Sequence, residues 1–125
     1  MMNNEDKFSW KKRALSFRFA WQGLMFLFKN EHNAWIHLVV TICVIACAVI
    51  WKISVTEWCL ISLCIAGVLA AEAFNSAIEA LADKISPQKD SLIGKAKDLG
   101  AAAVLIMALG SVAVGLIIFL PKFIG

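Results

Sequence analysis

Glu72, Asn75, Glu79 and Asp83 sit at offsets of 0, 3, 7 and 11 within the run from Leu69 to Asp83. At about 3.6 residues per turn, those offsets fall in one narrow helical stripe. Acids in such a row can accept a proton from a substrate hydroxyl. They can also hold Mg2+, which commonly takes one or two protein carboxylates and completes its shell with water and nucleotide phosphates. Glu31 and Glu79 are candidates for that second task, and Lys97, followed by Asp98, could neutralise phosphate charge during phosphoryl transfer. Glu72 lies deeper and is placed to take the proton of a hydroxyl carried by a lipid whose head sits at that depth. The single Gly-Lys pair, Gly94-Lys95, lacks both the earlier glycine and the following Ser or Thr of a phosphate loop, so any nucleotide site is of another kind.

The solvent around these residues follows from composition. With 61% hydrophobic residues in 125 and a mean hydropathy of +0.78, the chain reads as a single all-α domain, residues 1–125, built for a membrane. An ionisable side chain inside a membrane helix costs about 2.5–3.5 kcal/mol on insertion scales, so a row of them is expected to be a site. The net charge of +3 contains no block long enough for a nucleic-acid surface. Cys43, Cys47, Cys59 and Cys64 all lie in apolar runs and read as packing residues. No signal-peptide pattern opens the chain.

The expected elements are an N-terminal amphipathic surface helix and three transmembrane helices. Residues 1–7 read as a polar tail. Over residues 8–29, Lys11, Arg18, Gln22 and Lys29 share one face while Trp21, Leu24, Phe26 and Phe28 spread over the rest, as in a helix lying among lipid headgroups. Residues 30–33 break the pattern, and 34–51 form a first span with Trp35 and Trp51 at its ends. His32 and His37 read as interfacial, and two histidines without an acidic ligand pattern do not suggest zinc. Residues 52–57 read as a turn, 57–83 as the second span, 85–97 as a polar connection, and 98–120 as a third span closed by Pro121. Small residues four apart, such as Gly67 and Ala71, permit close helix contact.

Six basic residues precede the first span and four lie in the connection after the second, against one in the first connection and one at the C-terminus. The positive-inside rule places the N-terminus and the second connection in the cytoplasm. Glu31, Glu79, Asp83, Lys97 and Asp98 are then expected on the same inner face.

The pattern Glu72-x-x-Asn75-Ser76-Ala77-Ile78-Glu79-x-x-x-Asp83, followed by Ala96-Lys97-Asp98 and preceded by Asn30-Glu31, closely resembles the prokaryotic diacylglycerol kinase and undecaprenol kinase family. The likeness runs from the surface helix to the third span. It implies an ATP- and Mg2+-dependent lipid kinase of the bacterial inner membrane, working as a homotrimer with active sites shared between neighbours. It further implies that Glu72 is the general base at the lipid substrate, supported by Asn75, and that Glu31 and Glu79 are the metal ligands that hold ATP. Lys97 and Asp98 become nucleotide contacts, with Gln88, Lys89 and Asp90 bordering the nucleotide. Phe19 stands where family members often carry a Tyr near the nucleotide, so a hydroxyl contact is missing there. Lys12 stands where an Arg can occur, which keeps the charge and loses the bidentate fork.

The segment from Asn30 to His37 is more like the undecaprenol branch, whereas residues 75–79 and 94–98 also suit the diacylglycerol branch. The reading leans to undecaprenol. A small proton-coupled carrier is the alternative from another class, but it would need its acids near mid-membrane with access to both sides.

Overall fold

A computed structural model of the protein describes residues 9–125 and is helical almost throughout. The polar tail expected over 1–7, and Phe8 at the start of the expected surface helix, lie outside the described residues. Four helices follow one another: α1 Trp10–Asn30, α2 His32–Ile50, α3 Val55–Ile85 and α4 Ser91–Ile124. The last three are long and apolar enough to cross a membrane. Antiparallel α3 and α4 share the most extensive interface, α2 lies against α3, and α1 touches both α2 and α3.

The helix ends differ from the sequence expectation in ways that local chemistry explains. The break expected over residues 30–33 shrinks to Glu31 alone, which is extended at φ −114 and ψ 115. The polar groups before it are absorbed by the end of α1: Asn30 Nδ2 donates to the Phe26 carbonyl at 3.0 Å, and the Glu31 N–H donates to Leu27. Helix α3 starts earlier than expected because Ser54 and Glu57 form a reciprocal capping box, Glu57 N to Ser54 Oγ at 3.1 Å and Ser54 N to Glu57 Oε1 at 2.9 Å.

The polar connection expected over 85–97 is reduced to residues 86–90. Asp90 Oδ1 accepts the N–H groups of Leu92 and Ile93, both at 3.0 Å, and so starts α4 seven residues before Asp98. Pro121 does not close the last helix, which continues to Ile124. One carbonyl of that last turn, Ile118, accepts from Lys122 Nζ at 3.3 Å.

Between α2 and α3 the chain reverses without a glycine. Lys52 adopts φ 48, its N–H donates to Val49, and the Ile53 N–H donates to Ala48. This is the paired hydrogen bonding of a left-handed helix stop, with Ile53 folding back onto Ala48. Both side chains join Ile61 and Ile118 in a small core at this end. A Lys122–Glu57 ion pair at 2.9 Å, an edge-on contact of Trp51 with Phe119 and a tilted one with Phe123 tie α4 back to the same point. The opposite end of the bundle carries the start of α2, the end of α3 and the start of α4.

At about 1.5 Å per residue, the 31 residues of α3 extend roughly 46 Å and the 34 of α4 roughly 51 Å. A hydrocarbon layer of about 30 Å leaves a turn or more of each helix beyond it. The polar segments 79–85 and 91–98 can therefore stay helical while standing in water or among headgroups.

Candidate active site at the polar end of the bundle

Glu72 is the one buried charged side chain among the described residues, at 1% exposure. It lies on the face of α3 turned toward His37 of α2, and its Oε2 has no hydrogen-bond partner. His37 Nε2 on α2 lies 3.8 Å from that oxygen, outside hydrogen-bonding distance. His37, expected to be interfacial, has a side chain 22% exposed that faces the deepest acid. A signal was present in the sequence, since His37 is the one His, Lys, Arg, Asp or Glu within residues 34–51.

Asn75 follows Glu72 by about one turn on the same face of α3, half-buried, with Oδ1 buried and unpartnered. Buried Gly100 of α4 backs it. A Cβ at Gly100 would stand 2.6 Å from Asn75 Oδ1 and 3.4 Å from Ile78 Cδ1. The sequence reading passed over Gly100, although an isolated glycine in a helical run is a sign of close approach. Gly100→Ala is therefore expected to lower turnover by displacing Asn75, with a stability cost of about 1–3 kcal/mol. Activity and thermal unfolding measured side by side check this, and a variant with unaltered turnover would remove Gly100 from the site.

Nearer the polar end, Lys97 Nζ of α4 binds Asp83 Oδ1 of α3 at 2.9 Å. Glu79, half-buried one turn before Asp83, adds a weaker attraction on the same ammonium. The stripe read from the sequence is thus divided: Glu72 and Asn75 lie deep, while Glu79 and Asp83 face the Lys97 side of α4. Asp98 is exposed next to Lys97. Glu31 stands half-buried at the α1–α2 joint and makes no side-chain cap bond. No group of three or more His, Cys, Asp or Glu side chains able to hold a metal occurs among the described residues.

Of the remaining candidates, Gln88 and Lys89 are exposed in the loop, with the Gln88 carbonyl accepting from Ser86 Oγ at 2.8 Å. Asp90 is engaged as the α4 cap. Phe19 is 64% exposed on α1, and exposed Lys12 donates its backbone N–H to Ser9. Among the described residues, no hydrogen bond or ion pair joins these positions to Glu72 or Lys97.

Two apolar grooves flank the polar residues. One of about 410 Å³ runs between α1 and α3, from Gly23 and Leu27 to Ala73, Ser76 and Ala80. The other, of about 460 Å³, lies among α2, α3 and α4, with His37 in its wall and Ser111, Gly115 and Leu116 farther along. A buried carboxylate, a row of charges leading from it to the helix ends and apolar grooves alongside suit a reaction between an oily alcohol and a polyanion.

The sequence profile of the family described as prokaryotic diacylglycerol kinase matches residues 18–119. An undecaprenol kinase of Bacillus subtilis (strain 168) is 36% identical over 107 residues, covering 86% of this chain and 87% of its own length. A diacylglycerol kinase of Synechocystis is 32% identical over 111 residues, covering 88% of this chain and 63% of that protein. The diacylglycerol kinase of Escherichia coli (strain K12) matches over 39 residues at 54% identity, 31% of this chain and 32% of that one.

Proposed function

This chain belongs to the prokaryotic diacylglycerol kinase family and is a lipid kinase of a bacterial membrane, and from that membership we propose that it transfers the γ-phosphoryl group of ATP to the hydroxyl of undecaprenol. The observation that carries the reading is Glu72, a buried acid among the described residues with an oxygen left unpartnered. Taking an ion out of water costs several kcal/mol unless something compensates, which favours a role in chemistry over one in packing. The lean to undecaprenol over diacylglycerol is supported by the match to the Bacillus subtilis undecaprenol kinase along most of both chains.

In this reaction the lipid hydroxyl oxygen bonds to the γ-phosphorus as the bond from that phosphorus to the β–γ bridging oxygen breaks and ADP leaves. Glu72 takes the hydroxyl proton, and Asn75, one turn along the same face, orients the carboxylate. Lys97 and Asp98 are the nucleotide contacts at the start of α4, which means the Lys97–Asp83 pair must be shared with phosphate when nucleotide enters. Gln88, Lys89, Asp90 and Phe19 are assigned to the border of the nucleotide.

Glu31 and Glu79 fit Mg2+ in kind, because both offer hard carboxylate oxygens at half-buried positions. When bound there with the nucleotide, the ion supplies neutralisation of the polyphosphate charge. A lone chain offers no set of three ligating side chains among its described residues. That supports a site completed by phosphate and by a neighbouring subunit, in a homotrimer of the inner membrane with its N-terminus and site on the cytoplasmic side.

The test supplies labelled ATP and Mg2+ to the purified protein with undecaprenol or diacylglycerol in separate mixed micelles. Label is expected chiefly in undecaprenyl monophosphate and is expected to vanish on chelation of the metal. Preference for diacylglycerol would reverse the assigned acceptor, and label in neither lipid would overturn the reaction itself.

A further inference from the structure

The proximity of His37 to Glu72 joins two elements that the sequence keeps 35 residues apart. Helix α3 brings the carboxylate inward at 1% exposure with Oε2 lacking a partner. Helix α2 brings the imidazole to within 3.8 Å of that oxygen. Among the described residues, His37 is the basic side chain that reaches Glu72 within ion-pair distance.

The other charges at this end are differently engaged or farther off. Lys97 of α4 is bound to Asp83, which lies 11 positions beyond Glu72 on α3, about 16 Å along the axis. Glu79 and Asp83 of α3, Asp98 of α4 and Glu31 at the α1–α2 joint bear the same sign as Glu72 and cannot compensate it. Lys29 is exposed in the last turn of α1.

We propose that His37 is a positioning residue for Glu72: a hydrogen on Nε2 points to Oε2 and turns the second oxygen to the acceptor hydroxyl. The inference rests on the reading of Glu72 as general base. The gap of 3.8 Å closes to hydrogen-bonding distance by small side-chain rotations, and catalytic hydrogen bonds often tighten only when substrate is in place. His37 also forms part of the wall of the 460 Å³ groove among α2, α3 and α4. A lipid chain filling that groove would shut water away from the pair and strengthen the interaction.

The experiment compares the wild-type chain with His37→Ala, His37→Gln, His37→Asn and Glu72→Gln for kcat and KM for ATP. Glutamine places an amide N–H near the position of Nε2, whereas asparagine falls short of it. His37→Ala is expected to lower kcat on the order of tenfold, a fraction of the 10²–10⁴ that a general base contributes. KM for ATP should hold. His37→Gln should recover most of kcat, and His37→Asn should not.

Wild-type kcat in His37→Ala, with Glu72→Gln inactive, would overturn the inference and leave the general base standing. An active Glu72→Gln would overturn the base and the inference together. Should His37→Ala fail to fold, the amide pair decides: equal activity of the glutamine and asparagine variants would overturn the positioning role.

Discussion

Glu72→Gln is expected to reduce lipid phosphorylation by about 10²–10⁴, the range a general base contributes, without weakening the fold. The substitution keeps the shape of the side chain and removes only its charge and its ability to take a proton. The Oε2 atom has no hydrogen-bond partner to lose, and the fully buried site gains by shedding an ion whose burial costs several kcal/mol. Thermal unfolding in detergent should therefore hold or rise while turnover collapses. A purely structural acid would give a different result, with stability and activity falling together. Full turnover in the variant would leave the reaction without its proton acceptor.

Glu79→Gln carries the second large effect, on the use of metal and nucleotide. Glu79 lies about 10 Å along α3 from Glu72, seven residues nearer the polar end, and its charge is felt by Lys97. The amide retains an oxygen but not the charge that a hard divalent cation selects. The half-saturating concentrations of Mg2+ and ATP are expected to rise on the order of 100-fold, equivalent to about 2.7 kcal/mol of binding. Glu79→Asp should recover part of that loss. Titrating Mg2+ at fixed ATP, and ATP at fixed Mg2+, checks the assignment, and unchanged curves would contradict a ligand role.

Much of the architecture was legible because membrane helices advertise themselves through length and hydropathy. The runs around 34–51, 57–83 and 98–120 all correspond to helices, and the stripe of Glu72, Asn75 and Glu79 was visible from its 3.6-residue period. The helix ends were less legible because they depend on single side chains. Ser54 with Glu57, and Asp90 alone, extend helices into segments that composition marks as loop. Lys52 occupies a left-handed position where glycine is the usual signal. The neighbours of the candidate base were not legible at all from spacing. His37 and Gly100 reach the Glu72 stripe from separate helices, and a contact of that kind has no period along the chain.

The joint between α1 and α2 consists of one extended residue, Glu31, and that residue is also an assigned metal ligand. Helix α1 is a rod of about 32 Å, 21 residues long, that meets α2 at this single position and packs against both α2 and α3. A joint one residue long leaves no slack, so any change in the Glu31 torsions would have to be matched by repacking of α1 against α2 and α3.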